Sequence, residues 1–138
     1  AYLLQKGEGM MALAWERYTE QLEWLTTPTQ EEIDVAKSML NKYRRLRGKV
    51  DDFKKNPPET DKQLIAQKKA ELFTRSIERA VNLIPDPNIR AVIDYRFIDG
   101  NSRAATMIRF SGWNYCDKTI DRKIQEGIES VAFSLRDI

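Results

Sequence analysis

Apolar residues recur at helical spacing along the first two thirds of the chain. In residues 11–25 the intervals alternate between four and three, which places the apolar side chains on one face of a helix. Residues 33–50 and 66–84 carry two further stripes with a similar period. Each stripe needs a partner, so we expect three amphipathic helices that cover one another as a hairpin or bundle, or that pair with a second copy of the chain. The first stripe consists of Met11, Trp15, Tyr18, Leu22 and Leu25.

Short polar segments with proline separate these helices. The segments are TTPT at 26–29, KNPPET at 55–60 and PDP at 85–87. Thr29 with Glu32, and Thr60 with Gln63, have the spacing of capping boxes at the start of the second and third helices. The second stripe consists of Ile33, Ala36, Leu40, Tyr43, Arg47 and Val50, and the third of Ala66, Ala70, Phe73, Ile77, Ala80 and Ile84.

The last third of the chain predicts shorter helices. The segment NIRAVIDYRFI at 88–98 is a helix pattern, and Gly100 is placed to end it in a left-handed turn. NSRAATMIRF at 101–110 follows, capped by Asn101 or Ser102, and the last helix begins at Cys116 or Asp117. No segment has a convincing strand pattern. The sequence therefore predicts an all-α protein with a helical arm in residues 1–84 and a second domain in residues 85–138. The apolar side of the last helix consists of Ile120, Ile124, Ile128, Val131 and Leu135.

The amino-acid composition excludes several classes of function. The 138 residues are 41% hydrophobic and 32% charged, which suits a folded helical protein rather than a disordered one. There is one cysteine and no histidine, so the usual zinc sets and the Ser-His-Asp and Cys-His arrangements are excluded. We expect neither an enzyme nor a bound metal or cofactor. No apolar run approaches the roughly 20 residues that cross a bilayer, and AYLL is too short for a secretory signal, so we expect a cytoplasmic protein without membrane contact.

Charge is unevenly distributed, although the net charge is only +2. Residues 37–55 contain 8 basic and 2 acidic side chains, a local net charge of +6. Such asymmetry is a mild indication of a polyanionic partner. An ordinary solvated helix face explains this block equally well.

The segments at 101–110 and 116–135 match the requirements of a helix-turn-helix. Ala104 and Ala105 provide the small residues of a closely crossed first helix, and Ser111 with Gly112 provides a tight turn. The second helix is polar outside and apolar inside over its first turns. We expect its isoleucines, Ile120 and Ile124, to anchor it against Ala104 and Ile108. The alternative is two ordinary helices of an all-α domain.

Residues 87–132 carry a resemblance that favours the helix-turn-helix. They are similar to region 4 of bacterial sigma factors, and more closely resemble the sigma-like domain of phage late-gene transcriptional regulators of the RinA and ArpU type. The first matched pattern, RY-I-x-G-x-S, is met by Arg96, Phe97, Ile98, Gly100 and Ser102. The second, S-x-x-T-[VI]-x-R, is met by Thr119, Ile120 and Arg122, with Cys116 in place of the usual serine cap.

The resemblance implies a transcriptional regulator of phage or prophage genes in a bacterial host cell. Its partners are double-stranded DNA and RNA polymerase, and the helical arm serves in polymerase contact or in assembly of a homo-oligomer. The helix at about 116–135 enters the major groove and presents its first polar turns to the bases. Arg103 and Arg109 are candidate phosphate clamps, and Thr119 contacts phosphate or only packs. The groove-facing set is Asp117, Lys118, Asp121, Arg122 and Gln125.

Individual side chains in this region have expected roles. Lys118 and Arg122 donate to guanine or phosphate, while Asp117 or Asp121 accepts from cytosine or holds Arg122 in position. Trp113 and Tyr115 pack against Phe110, and Cys116 is a small, semi-buried residue. Two alternative functions stay open. One is a phage small terminase subunit, and the other is a protein-interaction module that does not bind DNA.

Overall fold

The computed structural model describes residues 12–19 and 27–138, and every regular element among them is helical. The predicted all-α class is therefore confirmed. Helix α1 is described over residues 12–19. The further elements are α2 at Gln30–Lys55, α3 at Asp61–Asn82, α4 at Pro87–Ile93, a π-helical segment at Asp94–Ile98, α5 at Arg103–Ser111 and α6 at Asp117–Leu135.

The apolar stripe of α1 is largely exposed in the single chain. Trp15 and Tyr18 are 65% and 51% exposed, and their rings lie 5.7 Å apart. Met11, Leu22 and Leu25, the other members of the predicted stripe, lie outside the described residues. The described part of the chain therefore does not cover this stripe.

Helix α2 begins and ends where its sequence signals predict. The hydroxyl of Thr29 accepts from the backbone N–H of Glu32 at 3.2 Å, and the Glu32 carboxylate accepts from the N–H of Thr29 at 3.1 Å. This reciprocal pair is the predicted capping box, which satisfies two backbone donors of the first turn. The helix ends at Lys55, just before the two prolines at 57–58.

The start of α3 differs from its prediction in one contact. Thr60 caps the helix, because its hydroxyl accepts from the N–H of Gln63 at 3.1 Å. The side chain of Gln63 accepts from the N–H of Glu59 at 2.8 Å, one residue earlier than a capping box requires. The cap is thus confirmed, whereas the second bond of the predicted box goes to the preceding residue.

One apolar core joins α2, α3, α4 and α6. The predicted stripes of α2 and α3 face this core, with Leu40 and Ile77 almost completely buried. The C-terminal half of α6 contributes Ile128 and Val131 to the same core. Apolar packing therefore continues across residue 84, the predicted boundary between the arm and the second domain.

A polar network links the middle of α2 to α3. The Tyr43 hydroxyl donates to the carboxylate of Glu78, which also accepts from Arg47 at 3.2 Å. Burial raises the pKa of Tyr43, and the bond to Glu78 raises it further. Arg47, the one charged member of the α2 stripe, is accommodated because Glu78 and Asp51 neutralise it at the edge of the core.

The segment predicted as one helix, residues 88–98, is α-helical in its first half and π-helical in its second half. After α4 the backbone widens into the π-helical segment, and the N–H of Asp99 bonds to the carbonyl of Asp94. Gly100 then adopts a left-handed conformation with a φ of 79°, as predicted. A Cβ atom at Gly100 would also lie 2.8 Å from Cγ of Arg44 in α2, so this turn packs directly on α2.

An ion pair fastens the end of α6 to the start of α2. The Arg136 guanidinium bonds to the Glu32 carboxylate, with one Nη2–Oε1 distance of 2.8 Å, and also to the carbonyl of Thr27 at 3.0 Å. The bond from Arg136, followed by the backbone bond at Thr29, lowers the pKa of Glu32 from 4.5 to about 2.

This lowered pKa predicts a loss of stability in acid. The folded state holds Glu32 ionised at pH values where the unfolded chain is protonated, so the contribution is complete above a pH of about 4.5 and is lost as the pH falls towards about 2. The difference in Tm between the wild type and Glu32→Gln is therefore expected to be constant near neutral pH and to shrink below that value. Glu31→Gln, on the neighbouring exposed position, is the control. A difference that stays constant down to the acid limit would contradict the pairing.

Candidate nucleic-acid interface

Helices α5 and α6 are joined by a short turn with one left-handed residue. The Ser102 hydroxyl caps α5 by accepting from the N–H of Ala105 at 3.1 Å, which selects Ser102 over Asn101 as the cap. Helix α5 runs through Ser111, so the turn begins at Gly112, the second of its two predicted residues, and extends to Asn114. Asn114, with a φ of 61°, reverses the chain, and asparagine tolerates this conformation better than most residues.

A small apolar cluster holds the first turns of α6 in place. Ile120 is fully buried against Val92, Met107 and Phe110. The Trp113 ring meets the Phe110 ring edge-on at a centroid distance of 4.8 Å, as the predicted packing requires. Ile120 therefore fixes the side of α6 that faces inward, and the opposite side faces solvent.

The prediction that Ile120 and Ile124 anchor against Ala104 and Ile108 was wrong. Ala104 is exposed, and Ile108 is 77% exposed. Positions 104 and 108 share one face of α5, but the helix is rotated so that its neighbouring face, with the larger Met107 and Phe110, fills the space beneath α6. Met107 and Phe110 together bury more apolar surface against Ile120 than Ala104 and Ile108 would, which favours this rotation.

The predicted groove-facing side chains of α6 lie together on its exposed side. Lys118 and Arg122 are one helical turn apart and both exposed. Thr119 is half-buried, and its hydroxyl lies 3.2 Å from the sulfur of Cys116. The exposed set is Asp117, Lys118, Asp121, Arg122 and Gln125.

The acidic residues of this surface pair differently from the prediction. Asp121 binds Arg103 of α5 through two bonds, at 3.0 and 2.6 Å, rather than holding Arg122. Arg122 instead lies 4.0 Å from Glu126, one turn further along α6. The reason is geometric, since residues 121 and 122 are neighbours in sequence and their side chains diverge by about 100° around a helix.

The Arg103–Asp121 pair changes the electrostatics of the surface. Hydrogen bonds from Arg103 hold the pKa of Asp121 below its ordinary value, and the same contact raises the pKa of Arg103. Both groups stay ionised and largely cancel each other's charge. The guanidinium of Arg103, a predicted phosphate clamp, is thus already bound to a carboxylate of the protein. Arg109, the other predicted clamp, lies 5.9 Å from the centre of the Tyr95 ring and makes a cation–π contact.

Cys116 differs from its predicted environment. It stands at the N-cap of α6 without a side-chain capping bond, and its thiol is exposed rather than semi-buried. The hydrogen bond between the thiol and the Thr119 hydroxyl lowers the pKa of the thiol. The helix itself begins at Asp117, one of its two predicted starts.

A cleft of about 350 Å³ lies at one edge of the contact between α6 and α2. Asp121 and Gln125 of α6 form one wall, and Lys37 and Asn41 of α2 form the other. Sequence reasoning missed the two α2 residues as part of this surface. The basic block at 37–55 was the available signal, but periodicity gives no indication of which helix lies next to α6. The remaining lining residues are Arg96, Phe97, Arg103, Ile124 and Ile128.

The described residues were compared with the requirements of a metal site and of a membrane-spanning helix. Within residues 12–19 and 27–138, no three Cys, Asp or Glu side chains form a group that is suited to a metal ion. No helix in these ranges has the length and apolar character to cross a membrane.

Comparisons with known proteins found no matching family model, no similar curated protein and no similar solved structure.

Proposed function

We propose that this chain is a sequence-specific DNA-binding transcriptional regulator of phage or prophage genes, with α6 as its recognition helix in the major groove. One observation carries the proposal. The first turns of α6 expose a polar face with two basic side chains, while Ile120 on the opposite face fixes the helix on α4 and α5.

The chemistry of this face suits base edges. Arg122 and Lys118 are donors for the acceptor atoms of guanine, Asp117 is an acceptor for the amino group of cytosine, and Gln125 matches adenine. An α-helix fits the width of the major groove, and a rigid helix presents these groups in a fixed order. The regulatory part of the proposal rests on the resemblance of residues 87–132 to the sigma-like domain of the phage regulators.

The salt bridge between Arg103 and Asp121 gives this surface a specific property. It neutralises the negative charge of Asp121 together with the positive charge of Arg103, and it ties α5 to α6 at the solvent side. In the proposed complex Arg103 therefore serves to position α6, and Arg109 supplies the phosphate contact from α5.

Selection of bound sequences from random duplex DNA tests the proposal. We expect enrichment of a defined motif, and we expect binding to weaken steeply as salt rises, because phosphate contacts release counterions. Retention of all sequences alike by a large closed ring would favour the terminase alternative. A failure to retain duplex DNA at low salt would rule out the proposed function and favour the interaction module.

A further inference from the structure

Helix α2, assigned by sequence to an arm for assembly or polymerase contact, lies beside the proposed recognition helix. Its residues Lys37 and Asn41 line the same cleft as Asp121 and Gln125. The latter two are members of the exposed set on α6. This flank of α2 therefore adjoins the exposed set of α6.

A second contact, made by Arg44, holds α2 in place one helical turn beyond Asn41. The stem of Arg44 packs against Gly100, and its guanidinium lies 3.4 Å from the carbonyl of Ile98. This anchors α2 to the segment that leads into α5, so both helices of the proposed DNA-binding unit have a defined position relative to α2.

The three α2 residues share one face. Lys37, Asn41 and Arg44 are separated by four and three residues, so they form a row that is about 10 Å long and lies next to the buried stripe. All three are exposed, and two are basic. They belong to the part of the chain with a net charge of +6, whereas the whole chain carries only +2.

We infer that this flank of α2, formed by Lys37, Asn41 and Arg44, binds the phosphate backbone of the same duplex next to the site that α6 reads. The inference rests on the proposed function and assigns part of the helical arm to DNA. Lys37 and Arg44 neutralise phosphates, and Asn41 donates a hydrogen bond between them. Because phosphates carry no sequence information, this flank adds affinity rather than specificity.

A double variant, Lys37→Ala with Arg44→Ala, tests the inference in titrations of duplex DNA against the full chain. Affinity is expected to fall by the same factor for a selected site and for a scrambled site. The slope of log K against log salt is expected to become less steep by about 1.8, since each lost phosphate contact removes about 0.9. The control is Lys62→Ala with Lys69→Ala, which removes two charges from exposed positions on α3, away from the cleft.

One further titration separates the outcomes. Arg44 packs on Gly100, so Lys37→Ala alone is titrated as well, and its slope is expected to change by about half as much. If the wild type binds DNA and both α2 variants behave like the α3 control, the inference is wrong while the proposed function stands. If the wild type does not bind duplex DNA at all, the proposed function fails and the inference fails with it.

Discussion

Leu40→Asp is expected to unfold the protein or leave it close to unfolding. Leu40 is 1% exposed at the centre of the core that joins α2, α3, α4 and α6. The substitution removes a buried aliphatic side chain and places a carboxylate where it has no solvent, which costs about 4 kcal/mol or more. Since small domains have only about 5–15 kcal/mol of stability, a loss of this size removes a large part of it.

Val35→Asp is the matched control, because it puts the same side chain on the same helix at a position that is 53% exposed. Its effect on the free energy of unfolding should stay within about 0.5 kcal/mol. Chemical denaturation of the two variants and the wild type measures both values. Equal stabilities for the two variants would show that α2 does not bury the predicted stripe.

Two glycine-to-alanine substitutions are expected to change stability in opposite directions. Gly127 lies inside α6, where a Cβ atom would come within 2.3 Å of Cγ1 and 2.5 Å of Cδ1 of the buried Ile93. Gly48 lies inside α2 with nothing within 4 Å of such an atom. Alanine favours the helix at both positions by roughly 0.5–1 kcal/mol, but only at Gly127 does it force the packed neighbours apart.

Overpacking of a core costs roughly 1–3 kcal/mol, so Gly127→Ala should be destabilising despite its gain in helix propensity. Gly48→Ala should be stabilising by the propensity term alone. Thermal unfolding followed by circular dichroism gives both signs in one experiment. An increase in Tm for Gly127→Ala would mean that α6 and α4 are further apart than the structure places them.

The sequence predicted the helices well because their signals are local. Capping residues such as Thr29 and Ser102 act within one turn, and the stripes of α2 and α3 repeat with the helical period. Periodicity was insufficient for α5, where both candidate faces carry apolar side chains. Only the tertiary contact with Ile120 decides that Met107 and Phe110 face inward and that Ile108 does not.

The candidate site also depends on contacts between residues that are far apart in sequence, and no local sequence pattern predicts such contacts. The prediction placed Asp121 on the exposed side of α6, but its pairing with Arg103 depends on how α5 lies against α6. The cleft between Lys37 and Gln125 depends on the packing of the C-terminal half of α6 against α2 and α3. Spacing along one helix encodes neither relation, so the α2 flank of the surface emerged only from the structure.

Titration of Arg122→Ala decides whether the exposed face of α6 reads base sequence. The variant, the wild type and the control Arg75→Ala on α3 are titrated against a selected duplex and a scrambled duplex at two salt concentrations. We expect Arg122→Ala to lose about 1–3 kcal/mol of binding free energy on the selected duplex, to lose much less on the scrambled one, and to accept other bases at one position. Unchanged affinity of Arg122→Ala for the selected duplex would contradict the account.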